Sequence, residues 1–339
     1  MTNIVEIAKQ LGVSPTTVSR VLNGKRYVAK EKRDRVLGLV RETGYVPNKA
    51  ARAMALRQSF TIGIVFPTVT GLFQRLLCSV IEEKLHSYGY HTVFFFVSRG
   101  EAGEKTALAS VQAEKLDGLI LLHEIRSAEL NSYCETARLP VVSAQANPWN
   151  IPTVAIDDAG AAFEAVSHLI GLGHRRIGIL VGAGSFGDLR LKGYKDALKK
   201  NGVPLREELI RHVDYATIAG GARGVKRLLE QSGAARPTAL FATNDELAVG
   251  AIRSLFDLGI RVPLEMSVIG FDDLEISAYT VPRLTTIRQP LKEMGVRLAL
   301  LLYCQIQDAV ITGLSLQKIP PSVLPHILII RESTAPRVS

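Results

Sequence analysis

The feature that most constrains this chain is where its charge lies. Residues 1–60 hold twelve Lys and Arg against four acids, a balance of +8, whereas the other 279 residues carry 29 bases and 28 acids. A short basic module is therefore joined to a large near-neutral one, and concentrated base on a short segment faces phosphate more often than plain solvent. The length of 339 residues also calls for more than one domain. With 47% apolar and 22% charged residues the composition is that of a folded protein. No apolar run reaches the roughly 18 residues of a membrane span; one of the longest, 298–304, stops at Gln305. The start MTNIVEIAKQ has neither a basic nor an apolar signal region, which predicts a cytoplasmic protein with no membrane partner. Cys78, Cys134 and Cys304 are odd in number and widely spaced, which argues against a disulfide framework or a zinc module.

The basic module reads as a helix-turn-helix. Ile4, Ile7, Ala8 and Leu11 make one apolar helical face, and Gly12 supplies the left-handed turn that ends it. Ser14 is an N-cap, with Pro15 at the first position of a second helix, where a missing N–H costs nothing. There Val18, Val21 and Leu22 point inward, Pro15, Thr16, Ser19 and Arg20 point outward, and Asn23-Gly24 ends the helix. A third helix over about 31–43 packs Val36, Leu37 and Val40 inward. Hydroxyls with one Arg suit phosphate anchoring and base-edge hydrogen bonds in a major groove, although a three-helix module that binds protein is the alternative. Pro47 then blocks continuation of the third helix, and Asn48 can cap a short helix over 49–56. Such a helix is too short to be stable alone, so it is either a segment that orders on binding or a plain linker.

The remainder alternates between strand and helix patterns. Strand-like runs lie at 61–66, 91–97, 117–122, 140–144, 176–181, 239–243 and 267–271, with a last one near 326–330. Helical patterns include 74–88, 159–172, 189–200 and 245–258, so parallel sheets built of βαβ units are expected. Gly182-Ala-Gly184-Ser-Phe-Gly187 follows a strand and precedes a helix, which is the context of a dinucleotide fingerprint. The acids about twenty residues on, Glu207 and Glu208, sit in a Pro204-Leu-Arg loop rather than at a strand end, which favours a glycine-rich cleft loop. Kinase-type GxxxxGK[ST], HExxH and GxSxG signatures are absent, and no cofactor, metal or catalytic group is expected.

The stretches IxEIAKQLGVSPTTVSRVLNG, ETGYVPNKAARAM, TIGIVFP, LIGLGHRRIGIL, RLKGY, ALFATNDELAVGAI, VPLEMSVIGFDD and PRLTTIRQP occur in order over nearly the whole chain. Together they resemble the LacI/GalR transcriptional repressors. The resemblance implies an all-α helix-turn-helix head and an α/β periplasmic-binding-protein-like core of two parallel-sheet subdomains, crossed three times, with a ligand cleft between them. The corresponding divisions are a DNA-binding domain at 1–46, a hinge at 47–60 and a core at 61–339. Within the core, 61–157 and 289–318 would form one subdomain, and 158–288 and 319–331 the other. It also implies a homodimeric, non-enzymatic repressor on a pseudo-palindromic operator in double-stranded DNA, controlled by a small-molecule effector.

By that resemblance Pro15, Thr16 and Arg20 read bases, Ser19 and its neighbours hold phosphates, and Thr17 and Asn23 belong to the same DNA-facing set. Asn48, Arg52 and Met54 would lie on the hinge in the minor groove. Relatives usually wedge a Leu where this chain has Met54, itself an apolar wedge. Pro15 has no side-chain donor, so Thr16 and Arg20 carry more of the readout.

Effector candidates follow where strand-end chemistry and family position coincide: Phe73 and Gln74 after the first core strand, His123, Gln145, Arg190, Asn244 and Asp272. Phe73 offers a stacking face and Gln74 an amide, while Arg190 offers a fork of donors for a hydroxyl pair or carboxylate and leads the set. Many relatives carry an Asp where Gln145 stands, so their selectivity does not transfer. Asn244 and Asp272 can equally be caps, His123 a surface histidine and Phe73 a core residue, whereas Asp157 and Asp158 read as caps of the helix at 159. The expected ligand is a sugar, sugar acid or sugar phosphate. The other classes are a sugar-binding protein that ignores DNA and a cofactor-using enzyme with an appended head. The few residues after the last strand fall short of a heptad zipper, which favours a dimer over a zipper-linked tetramer.

Overall fold

In the first module Asn3 caps the opening helix, its side chain accepting from the amides of Val5 and Glu6, while the Glu6 carboxylate takes the Asn3 amide in return. A computed structural model of the chain describes residues 3–22, 28–45, 58–68, 71–98, 100–122, 127–145, 151–312 and 322–337. The chain divides into two units, 1–60 and 61–339, each taken by itself below. The first contains α1 (Ile4–Leu11), α2 (Pro15–Leu22) and α3 (Lys30–Thr43). Gly12 ends α1 at φ 63°, a left-handed conformation that a residue without Cβ adopts without strain. Ser14 Oγ accepts from the Thr17 amide at 3.1 Å and fixes the start of α2. Ile7, Ala8, Val18, Val21 and Val36 form the small core. Hinge residues 47–57, with Asn48, Arg52 and Met54, and also Asn23, lie outside the described residues.

The second unit is built twice from one plan. Strands β1 (Thr61–Pro67), β2 (His91–Val97), β3 (Gly118–Leu121) and β4 (Val141–Ser143) form a parallel sheet in the order β2-β1-β3-β4. Helices α4 (Leu72–Ser87), α5 (Glu101–Ala113) and α6 (Ala128–Thr136) connect them. The chain then passes through β5 (Val154–Ile156) into α7 (Asp158–Gly171) and the second sheet. There β6 (Ile177–Gly182), α8 (Ser185–Lys200), β7 (Ile210–Val213), α9 (Ile218–Ser232), β8 (Ala239–Ala242), α10 (Asp245–Asp257) and β9 (Ser267–Ile269) give the parallel order β7-β6-β8-β9. Strand β10 (Thr286–Arg288) leads back to α11 (Leu291–Thr312), which packs along α4 of the first subdomain.

Two short ladders complete the plan. β11 (Ser322–Leu324) pairs in parallel with β5, and β12 (Ile327–Ile329) pairs antiparallel with β10. Bridges Ser143–Thr153 and Ile269–Thr285 attach these pairs to the first and second sheets. The division expected at 318/319 therefore shifts. Ser322–Leu324 hydrogen-bonds to β5 and belongs to the first subdomain, because an extended Ser-Val-Leu finds its open ladder there, and the third crossing falls at 325–326.

Alternating strands and helices bury both sheet faces, as the fully buried runs Gly118–Leu121, Ile177–Gly182 and Ala239–Ala242 show. Close packing demands small residues at a few points. A Cβ on Gly193 of α8 would stand 2.1 Å from the Ala159 carbonyl of α7, so those helices touch backbone to backbone. Among the described residues no helix is long and apolar enough to cross a membrane. Cys78, Cys134 and Cys304 are free thiols.

Candidate functional site

The C-terminal ends of both sheets open on one cavity of about 860 Å³, in the upper part of the range that holds drug-sized ligands. Pro67, Val97, Leu122 and Gln145 follow or end strands of the first sheet there, and Gly182, Tyr215, Thr243 and Asp272 do so for the second. Parallel sheets present their strand ends and helix starts at this edge, so the site follows from the βαβ connectivity.

Arg190, on the inner face of α8, is the electrostatic centre. Its Nε donates to Asp158 Oδ1 at 2.8 Å, its Nη1 donates to the Thr243 carbonyl at 2.5 Å, and Asp272 Oδ1 stands 3.6 Å from Nη1. The guanidinium lies 3.6 Å from the centroid of the Phe271 ring and is only 5% exposed. Burial raises the Asp158 and Asp272 carboxyls above the ordinary carboxylate range, against the opposing pull of Arg190 on both. Asp272 has φ 118°, and its side chain accepts from Gln289 Nε2 at 2.7 Å. A non-glycine residue held in that region marks a site over-determined by its surroundings.

Behind this group Asp245 is fully buried and accepts from the Leu274 amide, the Ser277 hydroxyl and the Thr286 hydroxyl at 2.6–2.8 Å. Desolvation pushes it up to about 7 despite those three donors.

The other wall is mostly neutral. Phe73 and Gln74, in the first turn of α4, line the cavity, as do Leu77, Ile156 and Met294. Gln74 Oε1 accepts from the Gly71 amide at 3.0 Å, so one of its acceptor positions closes the helix start. Polar contacts also link the two subdomains: Ser185 Oγ donates to Gln145 Oε1 at 2.8 Å, and the Leu72 amide donates to Glu246 Oε2 at 2.6 Å.

Six of the seven residues singled out for effector binding thus line one cavity, Phe73, Gln74, Gln145, Arg190, Asn244 and Asp272. His123 lies outside the described residues. Asn244 also acts as a cap: its Oδ1 accepts from the Leu247 amide at 2.9 Å, and its Nδ2 reaches the Ala216 carbonyl. Asp157 caps α7 through the Gly160 amide at 2.9 Å, but Asp158 departs from its expected capping role and turns inward to Arg190. Only one residue can occupy the N-cap, and the acid doublet was the signal that the second carboxylate had another partner. Gln289 and Glu246 carried no such signal, since their partners are 17 and 174 residues distant in the chain. The glycine-rich loop Gly182–Gly187 lines the cavity rather than opening a dinucleotide fold; a Cβ on Gly187 would stand 1.8 Å from the Gly182 carbonyl.

On the first module Pro15, Thr16 and Arg20 are exposed along α2. Thr17 is half-buried, and its hydroxyl is within 2.9 Å of Ser14 Oγ, so part of its hydrogen-bonding capacity serves the helix start; Ser19 is half-buried as well.

A three-helix head with an exposed face on its second helix and a doubly built α/β core around a ligand-sized cavity have the make-up of a ligand-responsive DNA-binding regulator. Residues 3–48 match the bacterial regulatory proteins of the lacI family, and residues 166–334 match the periplasmic binding protein-like domain. Catabolite control protein A of Priestia megaterium is 32% identical over 98% of both chains. Among solved structures, the lac repressor dimer bound to operator and an anti-inducer aligns over 98% of this chain and 99% of its own, with a TM-score of 0.84 and 27% identity. A LacI family regulator from Enterococcus faecium with bound ribose covers 81% of this chain and 99% of its own, with a TM-score of 0.69 and 28% identity. The chain belongs to the LacI family, and it is a DNA-binding transcriptional repressor rather than an enzyme.

Proposed function

We propose that the chain acts in the cytoplasm as a homodimer on a pseudo-palindromic operator, and that a sugar or sugar derivative in the core cavity sets its operator affinity. The observation that carries this reading is the cavity where both sheets end, with the buried Asp158–Arg190–Asp272 group on one wall and Phe73 on the other. Fixed donors and acceptors match sugar hydroxyls, and an aromatic face packs on a sugar ring. The lac repressor complex with operator and the ribose-bound regulator support the same assignment by likeness. In this reading residues 1–46 bind DNA through Pro15, Thr16, Thr17, Ser19, Arg20 and Asn23, and the hinge at 47–60 adds Asn48, Arg52 and Met54. The core at 61–339 holds effector through Phe73, Gln74, His123, Gln145, Arg190, Asn244 and Asp272. Ligand closes the cavity and favours one arrangement of the subdomains, and a coupling of about 1–3 kcal/mol between the sites is enough for control.

The test is anisotropy of labelled palindromic DNA at two salt concentrations, with and without a carbohydrate panel. Affinity should fall steeply with salt, and Arg20→Ala should weaken specific binding by about 1–3 kcal/mol. Salt-insensitive affinity, or an Arg20→Ala protein that binds as the parent does, would overturn the assignment.

A further inference from the structure

Helix N-termini converge on the cavity. Among the described residues, Gly71, Gly100, Ser127, Asp158, Gly184, Thr217 and Asn244 line it, each at the start of one helix from α4 to α10. Such a cluster of unpaired amides and positive dipole ends draws anions by default, and many α/β proteins hold phosphates this way. In this chain the protein fills that role with its own carboxylates. Glu246 reaches across to the Leu72 amide of α4 at 2.6 Å, and Glu104 of α5 takes the Ser127 amide at the start of α6 at 2.8 Å. Glu129, Asp158, Asp188 and Asp245 stand in the first turns of α6, α7, α8 and α10. Helices α5 and α9 are the exceptions: α5 opens on Gly100 with no side-chain cap, and α9 on a neutral cap, Thr217, whose hydroxyl accepts from Gly220.

Arg190 is the one cation among the described cavity-lining residues, and it is already held by two buried carboxylates and a carbonyl. An arriving phosphate or carboxylate would find no unpaired cationic side chain among these residues, and it would sit beside Asp158 and Asp272. Inside, Asp158 is committed to Arg190 and Asp272 to Arg190 and Gln289, while Glu104 and Glu129 add two more carboxylates on the first-subdomain side, a lining that opposes anions rather than cations. What remains is a set of fixed neutral and already-paired groups: the Gln145 and Asn244 amides, the Thr217 and Ser185 hydroxyls, and the Phe73 ring.

We propose that this cavity selects an uncharged polyhydroxylated ligand and rejects its phosphorylated and carboxylated counterparts. The proposal rests on the reading of the cavity as a carbohydrate site and narrows it to the neutral members, by repulsion built into the walls as much as by attraction.

The test is a thermal-shift and calorimetric comparison on the full chain, using matched sets: pentoses, hexoses and disaccharides, each beside its phosphate and its uronic or aldonic acid. The uncharged member of a binding set should be at least about tenfold tighter than each charged counterpart. A charged counterpart that binds as tightly or more tightly overturns the proposal. Inorganic phosphate decides the charge argument without knowledge of the sugar, with saturating nonspecific duplex DNA added to occupy the basic head. It should give no saturable stabilisation beyond sodium chloride of equal ionic strength, and saturable stabilisation overturns the proposal. If no carbohydrate of any charge binds, the carbohydrate reading itself fails, and the phosphate result still stands for or against the electrostatic argument.

Discussion

The two subdomains of the core share one architecture and divide the chemistry between them. Each has four parallel strands in the same order and a short two-stranded extension attached by isolated bridges, one in the first subdomain and two in the second. The second subdomain carries the buried ionisable groups, Asp158, Arg190 and Asp272 joined to one another and Asp245 held by Leu274, Ser277 and Thr286. The first presents Phe73, Leu77, Ile156 and Met294 with the amides of Gln74 and Gln145; its carboxylates at the cavity, Glu104 and Glu129, are half-buried and exposed. Duplicating a fold therefore does not duplicate the function of its surfaces. One wall is fixed by charges whose geometry leaves little freedom, and the other is a packing surface that can close on whatever the first wall has oriented.

The comparison breaks most directly at Arg190. Arg190→Ala leaves Asp158 and Asp272 buried without their counter-charge, and removal of one partner from a buried pair costs about 3–5 kcal/mol. Urea unfolding of the full chain should show that loss, and an unchanged midpoint would mean that the second subdomain is not held by its charges. Effector recognition is then better read from Arg190→Lys. A lysine retains the cation but loses the planar fork and the stacking on Phe271, so ligand affinity should fall more than stability does.

Asp245 sharpens the same contrast through pH. Its folded carboxyl is raised to about 7 by desolvation, whereas the unfolded group titrates near the ordinary value of about 4. Below pH 4 both states are protonated and the group costs nothing. As pH rises from about 4 to about 7 the unfolded chain releases the proton first, so this group's contribution to stability is lost across that window. Asp245→Asn keeps an acceptor for the Leu274 amide and leaves the Ser277 and Thr286 hydroxyls free to reorient. The difference in stability between the variant and the parent should grow in the variant's favour from pH 4 to pH 7. A difference that is flat with pH would show that Asp245 is not the titrating group.

Much of this organisation was legible in the sequence, for physical reasons that also mark where legibility ends. Strands with continuous apolar runs, such as 118–121 and 177–182, announce themselves because both sheet faces are covered. The helix-turn-helix was readable from local chemistry alone: Gly12 as a left-handed stop, Ser14 as a cap and Pro15 as a start. Cavity residues at strand ends followed from the rule that parallel sheets place ligands there. Strand β11 was assigned to the wrong subdomain because three extended residues carry no record of which open ladder they will join. Asp158 was read as a cap because sequence gives its neighbour Asp157 and not Arg190, 32 residues further along. Glu246 was missed for the same reason in stronger form, since its partner is a backbone amide in the other subdomain.

That missed contact supplies the smallest expected effect and the most discriminating one. Glu246 is a point where the second subdomain reaches into the first, its carboxylate capping the start of α4 through Leu72. Glu246→Gln preserves an acceptor oxygen and removes only the charge, so it isolates the interaction with the helix dipole, worth about 0.3–1 kcal/mol. If that contact favours the closed arrangement, apparent effector affinity should weaken by about two- to fivefold, as measured by calorimetry. Urea stability should be nearly unchanged, because the residue touches the other subdomain rather than its own core. The same substitution uncovers the positive end of α4 to anions, so whatever phosphate binding exists should rise in Glu246→Gln relative to the parent. Weaker effector binding together with stronger phosphate binding would place both closure and charge selection on one carboxylate. An unchanged effector affinity would return closure to the packing of Phe73 and Leu77, and the division between the two walls would then be one of shape rather than of charge.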